Sequence, residues 1–364
     1  MKKYLLLLLV AQFSFGQIPT GYYNTASGTG YVLKTQLFNK IGTHTTISYT
    51  PGLWNLYYTS DVRTDGKVWD IYSNCNFIFG TFASTGGNQD DGTSGTSECQ
   101  KYNREHTFPK SWFNNTSSPM YSDAFHIMPS DKKVNGLRGN LAYGIVGSPT
   151  YTSGNGTKIG NCVAPGYPYN LLVCEPTDIY KGDIARNYFY MATCYEDIIG
   201  SWQNNDADAN TVLDGTSDKV YETWFLNMLL TWHINDPVSQ KEIDRNNAIY
   251  SVQGNRNPFI DHPEYVCQIW STPATCATLF NNSFLSDNSV IIYPNPTNSN
   301  EIEITTEEPI TKLTLVNTNG QIIKEIVSPI FNQNTFKLNN LQQGFYFLKI
   351  NAEKGSLTKK IIVN

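Results

Sequence analysis

Tyr102-Asn103-Arg104-Glu105-His106-Thr107-Phe108-Pro109-Lys110-Ser111-Trp112 is the stretch on which the reading of the fold turns. It is read with a second segment, Asp123-Ala124-Phe125-His126-Ile127-Met128-Pro129-Ser130-Asp131-Lys132-Lys133-Val134-Asn135-Gly136-Leu137-Arg138-Gly139-Asn140. The chain has five histidines, and two of them fall in these segments. A histidine, with an unperturbed pKa of ~6.5, can take a proton from water near neutral pH. Glu105 and Asn140 are oxygen donors suited to a hard divalent cation. One carboxylate and one amide leave coordination positions for water and substrate, as Mg2+ prefers. The planar fork of Arg138 suits a phosphate. Hydrolysis of a phosphodiester needs these parts together. Taken singly each residue has an ordinary explanation, so the weight rests on the joint pattern. Helix geometry helps only in part. With Ser130 or Asp131 as a cap, Asp131, Asn135 and Arg138 share a face. Asn140, five residues past Asn135, points elsewhere on a regular helix. Gly136 and Gly139 weaken that helix by about 1 kcal/mol each. Spacing alone does not bring Asn140 to Glu105.

Outward from these segments, residues 17–280 are rich in Trp, Tyr, Asn and Gly and carry mixed helix and loop signals. Ile184, Tyr188, Met191, Tyr195 and Ile198 recur at helical spacing, with Asp183 as expected N-cap and Gly200 as stop. A further helix is expected from Asp236-Pro237 to Gly254. Val220 to Trp232 reads as a buried helix, and Thr85 to Thr96 as an exposed loop. Residues 281–289 form a polar linker. In 290–364, Ile302/Ile304, Leu313/Leu315 and Tyr346/Leu348/Ile350 alternate with the period of half-buried strands. Asn319-Gly320 marks a hairpin turn. The expected class is α+β: a mainly helical domain followed by a small C-terminal β-sandwich.

Lys2 and Lys3, the apolar run Tyr4 to Ala11 and the small residues Ser14 to Gly16 make a signal-peptide pattern over 1–16. That run is too short to span a bilayer, and no later segment is long and apolar enough. The expected protein is therefore exported and has no membrane span after release. Export permits disulfides among the seven cysteines. Cys75–Cys99, Cys162–Cys174 and Cys267–Cys276 are the expected pairs, with Cys194 left free and buried. A net charge of −5 argues against a protein that coats nucleic acid. It leaves room for an enzyme with a locally basic cleft.

The two quoted segments, with Pro119-Met120-Tyr121-Ser122-Asp123, Lys181 to Thr193, Trp232 to Ser239 and Gln253 to Glu264, resemble the endonuclease I family. This is a group of secreted and periplasmic nucleases within the ββα-metal, or His-Me finger, superfamily. The resemblance covers about residues 50–280. It implies a ββα-metal core and a nuclease, not selective for sequence, acting on DNA, RNA or both and leaving 5′-phosphate ends. In its terms His106 is the general base, and Arg138 belongs to the catalytic set. Glu105 and Asn140 hold the metal, Mg2+ first, with Ca2+ or Mn2+ as alternatives. Lys110, Lys132 and Arg186 are expected to contact the phosphates of the substrate. Arg186 and Lys181 either line the cleft or brace it. Phe125, Lys132 and Cys194 depart from the family pattern. The tail, with Tyr293-Pro294-Asn295-Pro296, Gly344-Phe345-Tyr346 and Lys359 to Val363, resembles a type IX secretion sorting domain. That implies transport by the type IX machinery to the medium or outer cell surface.

Two other classes compete. One is a non-catalytic surface protein that keeps the fold and binds glycans or host proteins through its aromatic, Asn-rich surface; the other is a phosphodiesterase confined to small nucleotides. Digestion of nucleic acid with and without a chelator separates the first from a nuclease, and short substrates separate the second. A monomer is expected.

Overall fold

A computed structural model describes residues 18–93, 95–270, 290–317, 322–352 and 355–364. The expected signal segment 1–16, the linker 281–289, Cys276 and the Asn319-Gly320 turn lie outside them. The chain divides into two compact units, Met1–Thr272 and Pro273–Asn364. Helices and sheets are both present, and the class is α+β.

In the first unit, α1 (Gly30–Ile41) and α2 (Gly52–Ser60) bury Leu33, Leu37 and Ile41, and Leu53, Leu56 and Tyr57, at helical spacing. The single turn α3 (Phe82–Thr85) is held by a Thr81–Ser84 capping box. The strands β1 (Tyr102–His106) and β2 (Ile127–Asp131) then pair antiparallel, His106 opposite Ile127 and Tyr102 opposite Asp131. Helix α4 (Lys132–Arg138) springs directly from β2. Asp131 is its N-cap, with Oδ1 accepting from Lys133 N at 2.8 Å and Val134 N at 3.1 Å, which satisfies two of the free first-turn donors. Two antiparallel strands thus feed one short helix.

A three-stranded antiparallel sheet follows: β3 (Val146–Thr152), β4 (Lys158–Cys162) and β5 (Leu172–Glu175). It overturns the expected Cys162–Cys174 bridge. Cys174 lies opposite Ile159, three residues along β4 from Cys162. At ~3.3 Å per residue that offset is ~10 Å, beyond a disulfide's reach. Both thiols are free, as is the buried Cys194. Cys75–Cys99 is formed, and Cys267 is disulfide-bonded as well.

Helix α5 (Lys181–Cys194) runs through the core with every residue after Lys181 buried. It stops at Cys194, so Ile198 lies beyond it, and Asp183 sits inside the first turn rather than capping it. After the short α6 (Ala209–Val212), α7 (Thr223–Asn235) buries Trp224, Phe225, Leu229 and Trp232. Helix α8 (Gln240–Gln253) begins later than Asp236-Pro237 suggested, because Ser239 and Glu242 close a capping box. Gly254, left-handed at φ 80°, ends it as expected. Short helices α9 (Pro258–Asp261) and α10 (Glu264–Trp270) complete the unit.

The second unit holds β6 (Val290–Tyr293), β7 (Ile302–Thr306), β8 (Ile310–Asn317), β9 (Ile322–Val327), β10 (Thr335–Leu338), β11 (Gly344–Ala352) and β12 (Gly355–Val363). They form antiparallel sheets ordered β10-β7-β6 and β12-β11-β8-β9. Ile302, Ile304, Leu313, Leu315, Tyr346, Leu348 and Ile350 all join one apolar cluster, as their alternation demands.

Candidate active site

A cleft of about 330 Å³ opens beside β1 and α4, and its lining includes Tyr49, Arg104, Glu105, His106, Lys110 and Asn140. The structure therefore brings the imidazole and both expected oxygen donors to one hollow. Asn140 arrives there because α4 ends at Arg138. Gly139 (φ 54°, ψ −125°) turns the chain in a region that L side chains rarely adopt. Helical-wheel geometry stops applying one residue before Asn140.

His106 is 7% exposed. Its Nε2 lies 3.1 Å from the carbonyl oxygen of Tyr121, which accepts only if Nε2 carries the proton. That tautomer leaves the Nδ1 lone pair free. Burial, then the neighbouring His126, hold His106 well below the usual histidine pKa, so the ring is neutral at pH 7. Glu105 is 2% exposed. Its Oε1 accepts from Tyr72 OH at 2.7 Å and from Arg138 Nη1 at 2.8 Å. No donor among the described residues bonds Oε2, so the protein orients the carboxylate through one oxygen and leaves the other unbonded. Burial pushes the Glu105 carboxyl above its ordinary value, against the pull of Arg138 and Tyr72. Tyr72 OH also lies 2.5 Å from Tyr143 OH. These buried tyrosines carried no signal in a chain of 23 tyrosines.

Arg138 is not a free phosphate clamp. It is 1% exposed, and besides Glu105 it bonds the carbonyls of His106, Thr107 and Leu141 at 2.8, 2.8 and 3.1 Å. Arg186 is fully buried. It pairs with both oxygens of Glu242 at 2.5 and 2.9 Å and donates to Asp236 O at 2.9 Å. It braces α5 against α8 and is not part of the cleft lining. Lys132 points to the loop before β1, pairing with Asp90 at 2.9 Å. Of the three cations expected to touch phosphate, Lys110 alone lines the cleft. Lys181 is held by Glu175 and Asp178, each at 2.7 Å.

Another cluster, His44, Asp123 and Cys194, has ligand atoms within 4.8 Å of one another. Its carboxylate is already saturated. Asp123 accepts from Tyr190 and Tyr195 on Oδ2 and from Phe125 N and Gln253 on Oδ1. It reads as a core polar network. A hollow of about 390 Å³ lined by Trp69, Asp70 and Tyr180 is larger than the cleft but brings no histidine. The donor set at Glu105 and Asn140, hard oxygens beside a cleft, fits a divalent cation better than either.

A family model described as Endonuclease I matches residues 29–264, and one described as Secretion system C-terminal sorting domain matches residues 291–364. An extracellular ribonuclease of Bacillus amyloliquefaciens is 36% identical over 254 residues, covering 68% of this chain and 78% of its own. The extracellular ribonuclease of Bacillus subtilis (strain 168) is 35% identical over the same shares. Endonuclease-1 of Buchnera aphidicola subsp. Baizongia pistaciae is 30% identical over 139 residues, 38% of this chain and 46% of its own. With the Endonuclease I match running through the residues that line the cleft, the chain belongs to the Endonuclease I family and carries a secretion-system C-terminal sorting domain over residues 291–364.

Proposed function

We propose that this protein is a secreted, metal-dependent nuclease that hydrolyses phosphodiester bonds of RNA, DNA or both without sequence selection. The observation that carries the reading is the shared cleft of Glu105, His106 and Asn140, with the His106 tautomer set by the Tyr121 carbonyl. Two relatives named extracellular ribonuclease support RNA as the first substrate to test. The β1–β2–α4 unit acts as a ββα-metal core. The two sheets of the second unit act as a sandwich that addresses the protein to the type IX machinery. The protein works as a monomer, outside the cell or on its surface, after a signal peptide has led it to the periplasm.

Glu105 Oε2 and the Asn140 side-chain oxygen would hold the cation, Mg2+ in first place. When bound, it neutralises charge on the phosphate and the leaving oxygen. The protein supplies the rest. Nδ1 of His106 takes a proton from a water, whose oxygen forms a new bond to phosphorus as the bond from phosphorus to the 3′ oxygen breaks, and the 3′ oxygen takes a proton from solvent water and leaves as a hydroxyl. The product ends are then 5′-phosphates. Tyr121 O keeps the imidazole from turning, and Tyr72 and Arg138 fix the Glu105 carboxylate. Lys110 offers positive charge at the rim.

Incubation with plasmid DNA and with RNA, each with and without EDTA, tests the reading. Chelator-sensitive breakdown of at least one polymer is expected. His106→Ala is expected to stay folded and lose that activity. Full activity in His106→Ala would overturn the assignment of the base.

A further inference from the structure

Arg138, Arg186, Lys132 and Lys181 are buried or paired, and beside Lys110 the cleft lining holds one further cation, Arg104 of β1. The Arg104 guanidinium carbon sits 3.6 Å over the Tyr49 ring and 4.2 Å over the Trp54 ring. Its Nη1 donates to the Tyr49 carbonyl and to Thr50 Oγ1, the latter at 2.7 Å. Among the described residues it has no carboxylate within salt-bridge distance, and no acceptor bonds its Nε or Nη2. Tyr49 in turn stacks on Tyr121 with ring centroids 4.3 Å apart. A guanidinium at 3.6 Å and a ring at 4.3 Å cannot share one face of Tyr49, so both faces are covered. The aromatic wall of the cleft therefore has no open face at Tyr49 for a nucleobase. What it presents is the free edge of a fixed cation.

Resting on the nuclease reading, we propose that Arg104 is a preoriented phosphate anchor that binds a backbone phosphate of the substrate next to the one cleaved. The chemistry is that of a phosphodiester and not of a base. An arginine fork matches two phosphate oxygens, and rings on either side fix its plane before substrate arrives. A phosphate contact positions the strand and carries no sequence information. This explains how one cleft accepts any sequence. Thr50 and Tyr49 hold one end of the guanidinium, so the residue reaches the substrate without ordering a long side chain at the moment of binding.

The experiment uses the full chain carrying His106→Ala, so that substrate is bound and not cut. Binding of a short fluorescein-labelled single-stranded RNA of mixed sequence is followed by anisotropy across a salt series, with and without Arg104→Met. A lost charge-assisted contact is expected to weaken binding by about tenfold to a hundredfold. The slope of log affinity against log salt should flatten by about 0.7, one phosphate on a single strand. Arg104→Lys should keep the slope and recover part of the affinity. In the active enzyme Arg104→Met should raise KM by a similar factor, with the larger effect on KM and not on kcat. A melting temperature that drops while affinity and slope stay unchanged would make Arg104 a mere brace for the Tyr49–Thr50 turn and overturn the proposal. A wild-type chain that cleaves neither RNA nor DNA overturns the nuclease reading, and this inference with it. Cleavage by the wild type with unaltered binding by Arg104→Met overturns this inference alone.

Discussion

Arg138→Ala separates a residue that holds the site together from one that grips substrate. The guanidinium is the buried partner of Glu105 and the donor to three backbone carbonyls. Removing one partner of a buried ion pair costs about 3–5 kcal/mol, because the other charge stays behind unpaired. Each carbonyl that loses its donor adds about 1 kcal/mol, and the terms overlap. The loss is therefore about 5 kcal/mol or more, against a total stability of roughly 5–15 kcal/mol for a domain. At ~2–4 °C per kcal/mol for a domain of this size, melting should fall by about 10–20 °C. Seven tryptophans make intrinsic fluorescence a workable probe of the transition. Arg138→Lys keeps a charge without the fork and should fall between. The double change Arg138→Met with Glu105→Leu should be more stable than Arg138→Met alone, since no charge is left stranded. An Arg138→Ala protein that melts within about 2 °C of wild type, yet has lost activity, would refute the argument and return Arg138 to the substrate.

Tyr72→Phe removes one of the two donors that orient Glu105 and leaves Tyr143 without that partner. The metal concentration for half-maximal activity should rise by about 10–100-fold, with most of the rate restored at saturation, read by metal titration. Gly139→Ala meets no neighbour within 4 Å but must adopt φ 54°. It should cost about 1–3 kcal/mol in backbone strain and weaken metal binding by displacing Asn140, measured by calorimetry and melting. His233 is nearly buried; its burial, then Arg186 beside it, lower its pKa to about 3. A histidine with a depressed folded pKa lends full stability above its unfolded value, lost as pH falls from about 6.5 toward 3. At pH 5.5 the loss is already about 1 kcal/mol. His233→Gln should flatten the fall of melting temperature over that range, and an equally steep fall in the variant would remove His233 as its source.

What could be read from the residues and what could not divide along one physical line. Features set within a few neighbouring residues were legible. The alternation in Ile302/Ile304 and Leu313/Leu315 needs only the two-residue period of a strand, and those side chains are buried. The Asp131 cap and the Gly254 stop are likewise local. The start of α8 was local too, and was missed because Asp236-Pro237 is a weaker signal than the Ser239–Glu242 box three residues on. The fate of a cation is not local. Arg186 and Lys132 have the composition of phosphate binders, yet Glu242 lies 56 residues from Arg186 and Asp90 lies 42 from Lys132. Whether a charge faces substrate or is neutralised inside depends on which distant carboxylate folds against it. The same holds for Arg104, whose neighbours Tyr49 and Trp54 lie about half a hundred residues upstream, 55 in the case of Tyr49. A net charge of −5 therefore says little about the cleft. Carboxylates such as Glu242, Asp90 and Glu105 take the cations that serve the fold. Arg104, which packs on aromatic rings in place of a carboxylate, and Lys110 are the cations that remain in the cleft lining.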